Sequence, residues 1–474
     1  MPITLRHVTA DSTWIITLTS PHDPPSHPPY NIILDPWITG PSPVWHPKFA
    51  QNHHTIPFSL FNLSELTPQP DLLLISQTKT DHCNEATCRQ LPKDGIKVYA
   101  VPGADSIVKS WKHFTPSNVH RLRPYNSNKT GRVSRVPIYK DADAASKALE
   151  ASKKADKYKF ENDPNVAAIV ELAFMPALKP WEIPSIHIGL GITYTPLEDP
   201  SDGDITNCLP PSPPLTPPST TYLHPNSSAT DPSQSTSSLS TVPSNQSSTV
   251  TSTFNSQIPT SPNRFPKKQQ QPSPLSISTK KEYTRKNLKR PGRKSASTES
   301  ILYTPHGVPP SALTNYLASI PLPLTAFIHC FVKVDNPKWL GGTVSAGLPN
   351  ALKIISSLKG IRGEQSRRSE EPVSPRSSCS HDYGLGVKYL VSTHDEEVEM
   401  EGFCSYFVKK RKWGVEDVMD QLKQIAGDDE AEVKKGKEAD EKGKEAEEEN
   451  QTMWSGPAGV RLLDLGPGED AVLA

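Results

Sequence analysis

An α/β layered domain interrupted by a long polar loop is the fold class the sequence predicts, on three observations. Short β-rich runs alternate with helical ones up to about Phe114, and the pattern returns at Glu299. With 50 prolines and only 34 % hydrophobic residues, the 474-residue chain must contain length that cannot build a core. That length is concentrated: from Pro196 to about Thr298, Pro, Ser and Thr dominate and apolar residues nearly vanish.

The elements follow in order. "TLRHV", "TWIITL" and "YNIILD" are strands divided by the turn-formers "TADS" and "SPHDPPSHPP". "DLLLIS" is a buried strand, "NEATCRQLPKDG" a helix with a Gly stop, "IKVYAVPG" a strand and "ADSIVKSWKHF" a helix. Residues 121–163 are charged and Ala/Lys-rich, a surface insertion around a helix, before "VAAIVELAFMPAL" and "IHIGLGITYT" resume the strands. After the loop come the strand "ESILYTPHG", the helix "SALTNYLASI", the strand "TAFIHCFV", the helical "SAGLPNALKIISSLKG" and the strand "VKYLVSTHDE". The expected organisation is one domain, 1–198 with 299–408. A disordered insertion interrupts it at 199–298 and a shorter one at 361–381, and a charged flexible tail occupies 427–474.

Composition excludes several classes. Cationic and acidic residues both number 51, so no overall field argues for nucleic acid or a membrane surface. The six cysteines are scattered without a CxxC pair, which speaks against a zinc ribbon or a redox dithiol. No secretory signal and no apolar run of roughly 20 residues is present, so a soluble protein of the cytoplasm or nucleus, with free thiols, is expected. The run from Phe265 to Lys294 is locally basic. It reads first as a solvated loop and second as a nuclear-localisation or nucleic-acid patch. Ser/Thr-Pro pairs at Thr216, Ser273 and Ser374 are candidate phosphosites, and the loop is a place where regulatory proteins could dock.

The chemistry sits at strand ends. "LLLISQTKTDH" closes in Asp81–His82, "SILYTPHG" in His306, and "KYLVSTHDE" in His394–Asp395–Glu396. Imidazoles and carboxylates delivered from one edge of a sheet can converge rigidly, and this donor set suits zinc, iron or manganese. Here the chain resembles the metallo-β-lactamase superfamily, whose H-x-H-x-D-H motif frames "SQTKTDH". "NIILDPWITG" stands upstream, where that family closes a strand in Asp-Pro, "YTPHG" where it holds a bridging Asp, and "STHDE" where it places its last His. The resemblance implies a four-layer αββα sandwich. It also implies that Gln77 and Lys79 replace two ligands of a first metal site, that a third falls near Lys179, and that His306 stands for the bridging Asp.

What then remains is one divalent ion, zinc foremost, held by Asp81, His82, His394 and His306. Asp81 would serve as proton acceptor and Lys79 as electrophile or anion clamp. The implied activity is hydrolysis of an ester, lactone, thioester or phosphodiester in a small molecule of unknown identity. The alternative is a metal-free, inactive member of the fold acting as a binding or scaffold module. Ser/Pro/Gln-rich insertions of this kind suggest a fungal source. Plainer readings stand beside these: Asp81 caps the helix starting near Asn84, and His306 is a turn residue. His329 is a satisfied core histidine, His53 and His54 lie at the surface, Cys83 and Cys88 are packed thiols, and the acids after His394 orient it.

Overall fold

Continuous apolar runs make the innermost strands. In the computed structural model, Leu72–Ile75, Glu299–Thr304 and Leu324–His329 are buried at every position, as strands covered on both faces must be. Ile3–His7, nearer an edge, alternates between buried and half-buried positions. The structure describes residues 3–19, 29–44, 46–56, 60–126, 133–154, 160, 163–177, 186–197, 298–338, 342–368, 384–396, 398–427 and 452–473. All belong to one unit, 1–206 with 288–474; the other, 207–287, lies outside them, as does nearly all of the expected 199–298 insertion.

The result is mixed α/β, built on two large sheets. The first runs Asp470–Leu473, Ile3–His7, Trp14–Leu18, Tyr30–Leu34, Leu72–Ile75, Lys97–Ala100, Val119–Arg121. Its pairings are antiparallel up to Tyr30–Leu34 and parallel from there on. The second runs Met453–Ser455, Arg461–Leu463, Val387–Ser392, Leu324–His329, Glu299–Thr304, Ile188–Pro196, Val166–Pro176, Ser134–Tyr139. Its four central strands, from Arg461–Leu463 to Glu299–Thr304, are parallel. The helices Pro310–Leu317, Leu348–Arg368 and Val415–Ala426 fall between those four strands in the chain, as parallel neighbours require a crossover.

Period-two alternation sends each central strand of the second sheet into two cores. Ile301, Tyr303, Ala326, Ile328, Tyr389 and Val391 pack with Leu5, Ile16 and Leu74 of the first sheet. The intervening Leu302, Phe327 and Leu390 pack with Leu313, Ile354 and Leu422 of the helices. The loops that follow Leu72–Ile75, Glu299–Thr304 and Val387–Ser392 leave the carboxyl ends of parallel strands, where α/β sheets place their sites.

Several boundaries differ from expectation. The segment assigned to a flexible tail supplies three strands instead. Asp470–Leu473 pairs with Ile3–His7, Arg461–Leu463 with Val387–Ser392, and Met453–Ser455 with Arg461–Leu463. The charge run 428–451 that suggested a tail masks these short apolar strands in sequence; it lies outside the described residues. The domain also passes 408 into helix Val415–Ala426, and helix Leu348–Arg368 continues eight residues into the expected 361–381 insertion. That helix does not begin at Ser345: Thr343–Ala346 is a strand, ended by Gly347 at φ +60°. His54 is not a surface residue. Its side chain is 7 % exposed and paired with Glu396 at 2.7 Å, because the turn holding it closes against the loop after Val387–Ser392.

His329 is the core histidine expected. It is fully buried, meets Thr304 Oγ1 at 2.5 Å and donates from Nε2 to the Gly347 carbonyl at 3.2 Å. Cys83, Cys88, Cys330 and Cys404 are buried free thiols. Among the described residues no helix is long and apolar enough to cross a membrane.

Deleting residues 452–474 should unpair both sheets and lower the melting temperature sharply in calorimetry; a chain with unaltered melting would contradict these pairings. A second expectation concerns acid. Burial lowers the pKa of His329 to about 4, so below the ordinary value near 6.5 the unfolded chain binds a proton that the folded chain refuses. Stability then falls as pH drops from about 6.5 toward 4, by roughly 2 kcal/mol for this residue at pH 5. His329→Gln should flatten the pH dependence of urea-unfolding stability by about that amount.

Candidate metal centre

The centre is organised around Asp35. Strand Tyr30–Leu34 ends there with φ +45°, a left-handed conformation that Asp tolerates better than most residues, and the carboxylate is fully buried. Oδ1 accepts the Ser76 amide at 2.6 Å. Oδ2 accepts the Ser76 hydroxyl, the Tyr303 hydroxyl at 2.9 Å and the His82 imidazole through Nδ1 at 2.8 Å. Strands of both sheets and the motif loop thus meet on one carboxylate.

The loop "SQTKTDHC" is tightly wound. Lys79 O accepts the amides of His82 at 3.0 Å and Cys83 at 2.7 Å. Thr80 Oγ1 donates to Pro43 O at 3.1 Å, and Ser12 Oγ donates to Asp81 O at 2.8 Å. Asn84 caps the short helix Glu85–Cys88 by accepting from Thr87 N, so Asp81 is not the cap. Its half-buried carboxylate instead joins His82, His306 and His394 in a cluster whose ligand atoms all lie within 4.8 Å of one another. Two ligands of a tetrahedral ion stand about 3.4 Å apart, so the widest pair would close by about 1.4 Å on binding one.

Each histidine arrives by its own device. His306 sits in the turn after Glu299–Thr304, which needs Gly307 at φ +86°; a Cβ there would lie 2.8 Å from Ala346 Cβ and from Asn350 Oδ1. Ala346 N pins the turn by donating to His306 O at 2.9 Å. His306 Nε2 lies 3.0 Å from His82 Nε2, while its buried Nδ1 has no hydrogen-bond partner among the described residues. His394, at φ +56°, donates its amide to Asp11 O at 2.8 Å and directs Nδ1 onto Asp11 Oδ1. The ring centroids of His306 and His394 are 4.4 Å apart.

Electrostatics separate the rings. Burial disfavours a charged His82, but Asp81 and Asp35 together outweigh it and raise its pKa. His306 is held well below the ordinary value by burial, then by the charges of His82, His187 and Lys79. His394 is lowered to about 4, chiefly by burial. His306 and His394 are therefore neutral at pH 7, the state in which imidazole ligates a metal.

The four residues named from sequence, Asp81, His82, His306 and His394, come together in one group that could hold a metal ion, but their surroundings differ from expectation. Asp395 accepts the amides of Phe331 and Val332 and the Ser392 hydroxyl, and Glu396 accepts His54 and the amides of Thr55 and Ile56. Neither orients His394; Asp11 does. Asp11 was missed, since an acid in "TADS" looks like any turn residue. Asp35 was visible only as a strand-end Asp-Pro with no role attached. Gln77 is buried and donates to Ile186 O at 3.1 Å, bracing the loop. Lys79, expected to act in catalysis, makes itself felt at His306 as the least of the causes named above. Lys179 lies outside the described residues.

No family model, no curated protein and no solved structure matches this chain.

Asp35→Asn should lower stability by about 3–5 kcal/mol, since it strips a buried charge network of its acceptor. Tyr303→Phe removes one donor and should cost only about 1.5–3 kcal/mol. Urea denaturation of the two variants checks the ranking, and equal losses would mean that Asp35 is not the hub.

Proposed function

We propose that this protein is a metallo-β-lactamase-like hydrolase with a single metal ion, held by Asp81, His82, His306 and His394. One observation carries the reading: two of the three imidazoles have their far nitrogen fixed on a buried carboxylate, His82 on Asp35 and His394 on Asp11. Metal-ligating histidines characteristically have such partners, which set the tautomer and leave Nε2 as the ligating atom. The donor set of three imidazoles and one carboxylate, singly negative with the imidazoles neutral, fits zinc, with iron or manganese behind it. The two-sheet core, with helices packed on the second sheet and Ala104 and Val108 of helix Ala104–Ser110 packed on the first, supports the αββα layer order of that fold.

A bound ion would supply a Lewis acid that polarises a carbonyl or phosphoryl oxygen and acidifies water near neutral pH. The chain's own residues would do the rest. Asp81, half-buried like His394 where His82 and His306 are fully buried, would accept a proton at a carboxylate oxygen. Asp35 and Asp11 keep His82 and His394 aimed, and Lys79 would hold an anionic part of the substrate. The bond cleaved is of the ester, lactone, thioester or phosphodiester class.

A second reading, a metal-free binding module of the same fold, is favoured by the direct 3.0 Å contact between His82 Nε2 and His306 Nε2. One proton shared there satisfies both atoms with no ion. Elemental analysis of protein purified without chelators decides between them. The hydrolase reading expects about one equivalent of zinc, iron or manganese, absent from Asp81→Ala/His82→Ala, and a melting temperature raised by added zinc in the wild type alone. No metal in either protein, with melting indifferent to zinc, would leave the metal-free module.

A further inference from the structure

We propose that a basic cavity sharing a wall with this centre binds a polyphosphate-type anion, a small ligand with several phosphate charges close together. The cavity has a volume of about 590 Å³, within the usual size of small-ligand sites. Its walls include three antiparallel strands, Thr343–Ala346, Lys333–Asp335 and Lys409–Arg411, and the first turn of helix Leu348–Arg368. Lys333, Lys353, Lys409, Lys410 and Arg411 line it, against the single carboxylate of Asp335.

In a chain whose 51 cationic residues are matched by 51 acidic ones, this excess is local. Lys333 sits 2.6 Å from Asp335, so the lone acid is already engaged. Like charges on neighbouring strands and a facing helix repel one another, and a multivalent anion between them relieves that repulsion. Two features add direction to the charge. The Arg411 guanidinium lies 4.8 Å over the Trp413 ring, which also lines the cavity; such stacking fixes the planar fork that grips phosphate oxygens. The first turn of the 21-residue helix, which carries no acidic residue, lines the same space, so the dipole adds its positive end to the charge there.

The cavity is joined to the centre through its lining. Ala346 N holds His306 O at 2.9 Å, and Asn350 Oδ1 accepts the Val308 amide at 3.1 Å, two residues further along the same turn. An occupant would therefore bear on the turn that carries His306. The inference does not require an ion in the centre.

Calorimetric titration of inorganic tripolyphosphate into the full-length protein, with chelator present, tests it free of any metal-borne binding. Lys353, Lys409 and Arg411 are exposed, so the triple variant Lys353→Ala/Lys409→Ala/Arg411→Ala should fold; circular dichroism checks this, and Lys353→Glu alone serves if it does not. One equivalent should bind the wild type, orthophosphate should bind at least about tenfold more weakly, and either variant should lose about tenfold or more. Unchanged binding in the variants would put the anion elsewhere, the basic run 265–294 foremost, and overturn the proposal. So would a single-stranded RNA oligonucleotide that binds the wild type more than about tenfold tighter than tripolyphosphate and loses that binding in the variants. That result would make the surface a nucleic-acid site.

Discussion

Everything near the centre depends on one buried carboxylate. Asp35 takes hydrogen bonds from Ser76, His82 and Tyr303, which belong to the start of the motif loop, the motif itself and the second sheet. A bare carboxylate is expensive to desolvate, and only a full set of donors makes its burial tolerable. Those donors cannot be supplied unless both sheets are in register and the loop has closed. Asp35 therefore works as a check on assembly as well as a clamp on His82.

The division of labour among acids follows from this. Asp35 and Asp11 are buried behind their histidines and reach the proposed ion only through imidazole, whereas Asp81 offers its oxygen to the cluster directly. Asp395 and Glu396 are spent on backbone amides at neighbouring strand ends, where they fix the loop geometry. The rings receive unequal charge as a result: His82 faces two carboxylates and holds its proton more readily than His306, which faces other cations.

Much of this was legible in the sequence because it is local. Runs such as "LLLI" and "SILY" mark buried strands by composition alone, and the residues past them leave strand ends of two facing sheets rather than one edge of a single sheet. The strand ends show imidazoles and carboxylates, but it is the resemblance in motif and element order that joins Asp81, His82, His306 and His394 into one set. What failed was non-local. Asp11 is separated from His394 by 383 positions, and nothing in a four-residue turn announces such a partner. His54 reads as polar loop, yet its side chain is nearly covered where it pairs with Glu396, 342 positions away. The final strands were hidden by their shortness: three or four residues after a charge run give periodicity too little length to register.

Those final strands also set a timetable for synthesis. Ile3–His7 is translated about 460 residues before its outer neighbour Asp470–Leu473. At about 5–20 residues per second, the first strand waits roughly 25–90 s for that partner. Meanwhile it presents an open row of amides and carbonyls, the kind of edge that recruits other chains. The second sheet waits as well, because Arg461–Leu463 completes its parallel run. Ribosomal pausing between the two strands would lengthen that exposure.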